Sequence, residues 1–225
     1  MELVGWDGRG ARGGVDLMKM PARGLSGSLG LLGVLLGVFG VECAAGALEN
    51  PSGLARLGAL PDSGGLHGQY WRLLTFGLLH WNAFHLMLNS LLLLVAGPTI
   101  QRRLGAGWLM ATFAIASVVS GMAILYKHVL APAAGVSVGA SGGMFGLLGL
   151  ALMLVWLAPA KRPTRIVITL VVLCGFAYSF SPGVSMVGHI AGFAAGLAMA
   201  TAAAKLRPNH SSKPTPLRGA DQVTC

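Results

Sequence analysis

Long apolar runs, broken by short polar stretches that carry the charge, set the pattern of this 225-residue chain. Six runs approach the roughly 20 residues a helix needs to cross about 30 Å of hydrocarbon. They cover residues 25–48, 73–97, 106–126, 140–158, 164–181 and 184–204. The fifth is short and ends in Ser179-Phe180-Ser181-Pro182-Gly183. Between the first two, Glu49 to Gly68 is polar, bears glycine and proline, and is too long for a tight turn. From Pro208 onward there are three prolines and little apolar content, which predicts a disordered tail. The pattern predicts an all-α polytopic membrane protein, a six-transmembrane-helix bundle over 25–204. A cytoplasmic N-terminal segment, 1–24, and a cytoplasmic tail, 205–225, flank it.

Composition supports lipid as the solvent. Hydrophobic residues make up 54% of the chain and charged residues 10%, against about 25% charged in soluble domains. Mean hydropathy is +0.70. The net charge of +9 does not imply a nucleic-acid partner, because the charges fall between the apolar runs rather than on one face of a soluble helix. Arg9, Arg12, Lys19 and Arg23 precede the first run as in a signal peptide. That run, however, is long and has no clear small-residue cleavage site, so it reads as a retained helix. With the N-terminus inside, thirteen of the sixteen Lys and Arg residues lie on the inner side; only Arg56, Arg72 and Lys127 lie outside. The positive-inside rule then places both termini in the cytoplasm. The absence of a transit signal points to a bacterial inner membrane. Cys43 and Cys174 lie in apolar segments and Cys225 ends the chain, with no spacing suited to a disulfide framework or a metal. No cofactor is expected.

Polar groups inside apolar spans are costly and mark partners or cavities. His80, His85, Asn89, Ser141 and His189 are such groups. Taken singly, each has an ordinary structural explanation, as packing or as a hydrogen bond between helices. Their depths agree, though. Ser141 lies 20 residues from Lys161, about 30 Å along a helix. His189 lies 16 residues from Lys205, about 24 Å. His85 and Asn89 lie 17 and 13 residues from Arg102, about 25 and 20 Å. Four polar side chains from three helices thus share the outer half of the bilayer. Their faces agree as well: His85 and Asn89 are one helical turn apart. His189 shares a stripe with Gly192 and Gly196, and Gly142 and Gly146 flank Ser141. Glycine faces let two helices approach closely, which would bring Ser141 Oγ to a His189 nitrogen.

A serine hydroxyl becomes a nucleophile when a neighbouring base takes its proton. The seven acidic residues are Glu2, Asp7, Asp16, Glu42, Glu49, Asp62 and Asp221. None falls in the second to sixth spans, so the constellation is expected to be a dyad. Glu42, in the first span, reads as a headgroup-level residue near the outer end. The N-terminus of the fourth span offers the Ser141 N–H to an oxyanion, and the His85 and Asn89 side chains could add to it.

These residues resemble the rhomboid intramembrane proteases. Gly139-Ala140-Ser141-Gly142 reads as the GxSG nucleophile motif, and His85-Leu86-Met87-Leu88-Asn89, preceded by His80, as HxxxN. Gly188-His189-Ile190-Ala191-Gly192 through Gly196 reads as HxxGxxxG, and Tyr70-Trp71-Arg72 as the WR element of the first loop. The resemblance covers about Arg56 to Ala204. It implies a serine endopeptidase acting in or near transmembrane segments, with Ser141 as nucleophile and His189 as base and then acid. His85, Asn89 and the Ser141 amide would form the oxyanion hole. His80, Gly139, Gly142, Phe145 and Gly192 would support them. The fifth helix and the loop after it would gate entry, and the partners would be single-span membrane protein substrates in a lipid bilayer.

Two positions depart from the family's common pattern. Phe145 stands where Tyr is frequent, which keeps the ring and loses the hydroxyl. Gln101 stands between Gly97 and Gly105 where Glu is frequent, which puts local stability rather than chemistry in question. An inactive client-binding relative would be expected to lack the serine or the histidine. A small transporter subunit would keep its flux when Ser141 is replaced.

Overall fold

The computed structural model describes residues 25–157 and 159–206. The expected N-terminal segment 1–24 lies outside the described residues, as does the tail from Arg207 onward. Among the described residues the helices are α1 (Ser26–Ala44), α2 (Pro51–Leu57), α3 (Arg72–Thr75), α4 (Ala83–Leu104), α5 (Ala106–Leu130), α6 (Ser141–Leu157), α7 (Arg162–Tyr178) and α8 (Met186–Leu206). Two short strands, β1 (Leu60–Pro61) and β2 (Val136–Ser137), pair antiparallel. Four helices, α1, α4, α5 and α8, are long and apolar enough to cross a membrane. The helices over the expected fourth and fifth spans, α6 and α7, have 17 residues each.

The centre is α6. Every residue from Gly142 to Ala151 is buried, so the helix is enclosed on all sides rather than along one stripe. Its glycines make room for the neighbours. A Cβ on Gly192 would run into the Gly142 carbonyl oxygen, and one on Gly196 into that of Gly146. The α6 and α8 backbones are therefore in direct contact. Helix α1 packs against α4 and α5 and buries a single stripe, Ser28, Leu31, Leu35 and Glu42. Helix α4 likewise turns Leu86, Asn89, Leu93 and Ala96 inward. Helix α7 buries only Ile168 and Val172. Leu29, Leu36, Leu170, Leu173 and Ile190 point outward, exposed by about half their surface or more, as helices solvated by lipid require.

The expected second span, 73–97, needs correcting. Residues 76–82 are not helical, and α4 starts at Ala83 and runs on to Leu104. Asn82 decides the start: in an extended conformation, its side chain accepts a hydrogen bond from His85 N at 3.0 Å, an N-cap. His80 therefore sits in irregular backbone and not on a helix. Such backbone is tolerated at membrane depth only inside protein. Here Phe76, Leu79 and His80 are buried, and the Phe76 carbonyl accepts from Gly139 N at 2.9 Å.

Glu42, near the end of α1, is fully buried within the protein, and its Oε1 accepts from His80 N at 2.7 Å. A carboxyl from α1 thus closes one of the open donors of the irregular segment. Gln101, the departure that put stability in question, is also buried. Its Oε1 accepts from Ser28 N at 2.7 Å and from Ser28 Oγ at 2.5 Å, tying α4 to α1. At the opposite end of the bundle, Asp62 holds the loop before α6. Its Oδ1 accepts from Ser137 Oγ at 2.7 Å and lies 3.3 Å from His128 Nε2.

Candidate active site

Ser141 is the first residue of α6. The preceding Gly139 has φ +137°, a conformation that side chains rarely adopt. The turn carries the extended β2 segment directly into the helix and leaves the Ser141 side chain at its open end. The first amides of a helix have no partner within it, so the Ser141 N–H belongs to a group of donors beside its own hydroxyl. A 17-residue helix rises about 26 Å, less than the hydrocarbon thickness of about 30 Å.

His189, in the first turn of α8, comes to Ser141 across the glycine contact. Its Nε2 is 2.8 Å from Ser141 Oγ. His189 is 4% exposed, and its imidazole stacks face to face on Phe145, with ring centroids 4.1 Å apart and planes 8° from parallel. Phe176 of α7 meets Phe145 edge-on at 5.0 Å. The ring contact expected of Phe145 therefore exists without a hydroxyl.

A cavity of about 750 Å³ lies over the pair, lined by His85, Asn89, Gly139, Ser141, Phe145 and His189 among others. The structure thus brings to one space the side chains that the sequence singled out from three helices. His85 lies against the turn before the serine: a Cβ on Gly139 would be 2.5 Å from His85 Cε1 and 2.9 Å from Nε2. Asn89 is buried, and its Nδ2 donates to His85 O at 3.1 Å. An amide nitrogen carries two hydrogens, so one stays available to the cavity. His80 does not line the cavity; it packs edge-on against His85 with centroids 5.4 Å apart. Gly142 and Gly192 hold α6 and α8 together and carry no chemistry of their own.

One residue at this site escaped the sequence reading. Ser179, the C-cap of α7, places its Oγ 2.6 Å from His189 Nδ1. It lies in the polar stretch that marked the fifth span as weak. That irregularity was the signal available, but nothing in the spacing tied it to His189.

Chemically, the arrangement can transfer a proton from Ser141 to His189 at a water-accessible point within an apolar bundle, with amide and side-chain donors beside it. An all-helical membrane protein with a paired serine and histidine is the class that fold and site define. The Rhomboid domain family matches residues 67–206, and the chain belongs to the rhomboid family. It is an integral, multi-pass membrane protein. It is similar to the "Rhomboid protease GluP" of Bacillus subtilis (strain 168), 33% identical over 162 residues, covering 70% of this chain and 31% of that protein. It is also similar to the "Putative rhomboid protease YdcA" of the same strain, 29% identical over 58% of this chain and 65% of the relative. The "Rhomboid-like protease 2" of Toxoplasma gondii is 30% identical over 81% of this chain and 66% of the relative. The chain thus spans about a third of GluP and about two thirds of YdcA.

Proposed function

We propose that this protein is an intramembrane serine endopeptidase that hydrolyses peptide bonds in or near the transmembrane segments of single-span membrane proteins. The observation that carries the reading is the 2.8 Å contact between Ser141 Oγ and His189 Nε2 under an open cavity. Family membership and the relatives named as rhomboid proteases support it.

In this mechanism Ser141 Oγ attacks the scissile carbonyl carbon as His189 Nε2 takes the hydroxyl proton. The new oxyanion accepts from the Ser141 N–H and from the His85 and Asn89 side chains. The imidazolium returns its proton to the leaving amine as the C–N bond breaks, leaving an acyl ester on Ser141. A water entering from the cavity then loses a proton to His189, attacks the ester and frees the serine. The Phe145 face holds the imidazole plane during both transfers.

The proposal includes a six-span unit over 25–204, with α6 and α7 crossing alongside the four longer helices. It also places both termini in the cytoplasm of a bacterium, with 1–24 and 205–225 as flanking segments. Lys and Arg distribution supports this orientation.

The test is direct. Purified protein in detergent is incubated with a type I single-span substrate, and the new terminus is mapped by mass spectrometry. A cut within or beside the span, absent with Ser141→Ala, is the expected result. Intact substrate with folded wild-type protein, across several such substrates, would favour a client-binding role and overturn the proposal.

A further inference from the structure

We propose that Ser179 is a positioning residue for His189: its hydroxyl fixes the imidazole with the proton on Nδ1, leaving Nε2 free to act as base. The proposal deepens the protease reading above and rests on it for its kinetic consequence, but not for the hydrogen bond itself.

The argument counts protons. Ser179 Oγ has two close partners, Gly175 O at 2.8 Å and His189 Nδ1 at 2.6 Å. A hydroxyl has one hydrogen to donate and lone pairs to accept with. The carbonyl can only accept. If the hydroxyl donates to Gly175 O, Ser179 Oγ accepts from His189 Nδ1–H. Nε2 is then unprotonated and accepts from Ser141 Oγ at 2.8 Å. Every short contact in the chain Ser141–His189–Ser179–Gly175 carries one hydrogen. With the other tautomer, Ser179 must donate to Nδ1, and the contact with Gly175 O becomes two oxygens facing each other with no proton between them. The network therefore selects the tautomer in which Nε2 can receive the Ser141 proton, an assignment made from its hydrogen bonds. Without such a partner, the imidazole of a free histidine favours the proton on Nε2, where it would block the base.

Ser179 is held well enough for this role. It is 3% exposed, its backbone is αR at the end of α7, and its N–H donates to Gly175 O and Phe176 O at 3.1 Å each. The stacked Phe145 fixes the ring plane, while Ser179 fixes rotation within it. No acidic side chain is needed for orientation. The neutral hydroxyl supplies direction and tautomer, but not the charge that a carboxylate would lend to the imidazolium.

Two measurements test the proposal. Ser179→Ala is expected to lower kcat about tenfold, the size of one lost hydrogen bond, with KM within about twofold because ground-state contacts with substrate are untouched. Ser179→Thr, which keeps the hydroxyl, should recover most of the loss. Independently, ¹⁵N-histidine NMR in the inactive Ser141→Ala background should show His189 protonated on Nδ1. Adding Ser179→Ala should shift it toward the Nε2–H form. This second measurement requires no turnover. An active enzyme whose His189 tautomer is indifferent to Ser179 overturns the inference and leaves the protease reading intact. A Ser179-dependent tautomer in a protein that cuts nothing does the reverse. A Ser179→Ala kcat within twofold of wild type would also overturn it.

Discussion

Gly192→Ala puts the close approach of α6 and α8 to a quantitative test. The added methyl would lie inside the van der Waals envelope of the Gly142 carbonyl oxygen, with the Gly142 carbonyl carbon only 2.9 Å away. Both obstacles are backbone, so no side chain can rotate aside. Carbon and carbonyl oxygen rest about 3.3–3.6 Å apart, so the helices must separate by roughly 1 Å to relieve the overlap. The same separation acts on Ser141 and His189, which lie at the ends of these two helices. Their 2.8 Å contact would lengthen beyond hydrogen-bonding range. A misplacement of about 1 Å in a catalytic pair can cost on the order of 10²-fold in rate. Overpacking should also destabilise by about 1–3 kcal/mol. The assay is kcat per folded molecule on a mapped substrate, together with the thermal midpoint in the same detergent. The control is Gly33→Ala, in α1, where a Cβ meets nothing within 4 Å. It should leave kcat unchanged and stability equal or higher by about 0.5–1 kcal/mol. A Gly192→Ala enzyme within twofold of wild type would refute the claim that glycine contact sets the pair's geometry.

Ser141→Ala should lose labelling by a fluorophosphonate probe, and His189→Ala should abolish cleavage while the protein stays folded. Cleavage by His189→Ala within tenfold of wild type would refute the dyad. Asn89→Ala should lower kcat toward the low end of the roughly 10²–10³-fold loss seen for an oxyanion donor, with little change in KM; unchanged kcat with a lower thermal midpoint would remove Asn89 from the chemistry. Gln101→Leu should destabilise the protein by about 1–3 kcal/mol, because the buried Ser28 N–H and hydroxyl lose their acceptor; differential scanning fluorimetry against wild type reads this directly, and an unchanged midpoint would show the α1–α4 tie to be dispensable.

Much of this protein was legible in the chain because partition into lipid depends on local composition. Apolar length located the helices to within a few residues for α5, α6 and α8. Helical periodicity put His85 with Asn89, and His189 with Gly192 and Gly196, on shared faces before any helix was packed. What hydropathy could not locate was the start of α4. Residues 73–82 are as apolar as a span, yet the Asn82 cap and the Glu42 carboxyl on His80 N make that stretch irregular. The partner of Glu42, His80 N, lies 38 positions away, so no local pattern links the two. The partner of the Gln101 carbonyl, Ser28, lies 73 positions earlier, beyond the reach of any local pattern. The Ser179 contact with His189 depends on the pitch of α7 against α8 and on the turn through Pro182 and Gly183, which no periodicity encodes. The sequence by itself put His85 with Asn89 on one face of an apolar helix, and marked Ser141 and His189 as polar residues in glycine-rich apolar runs. Only the packing of helices determined their distances, because a hydrogen bond between helices is decided within about 1 Å and no local preference reaches that far.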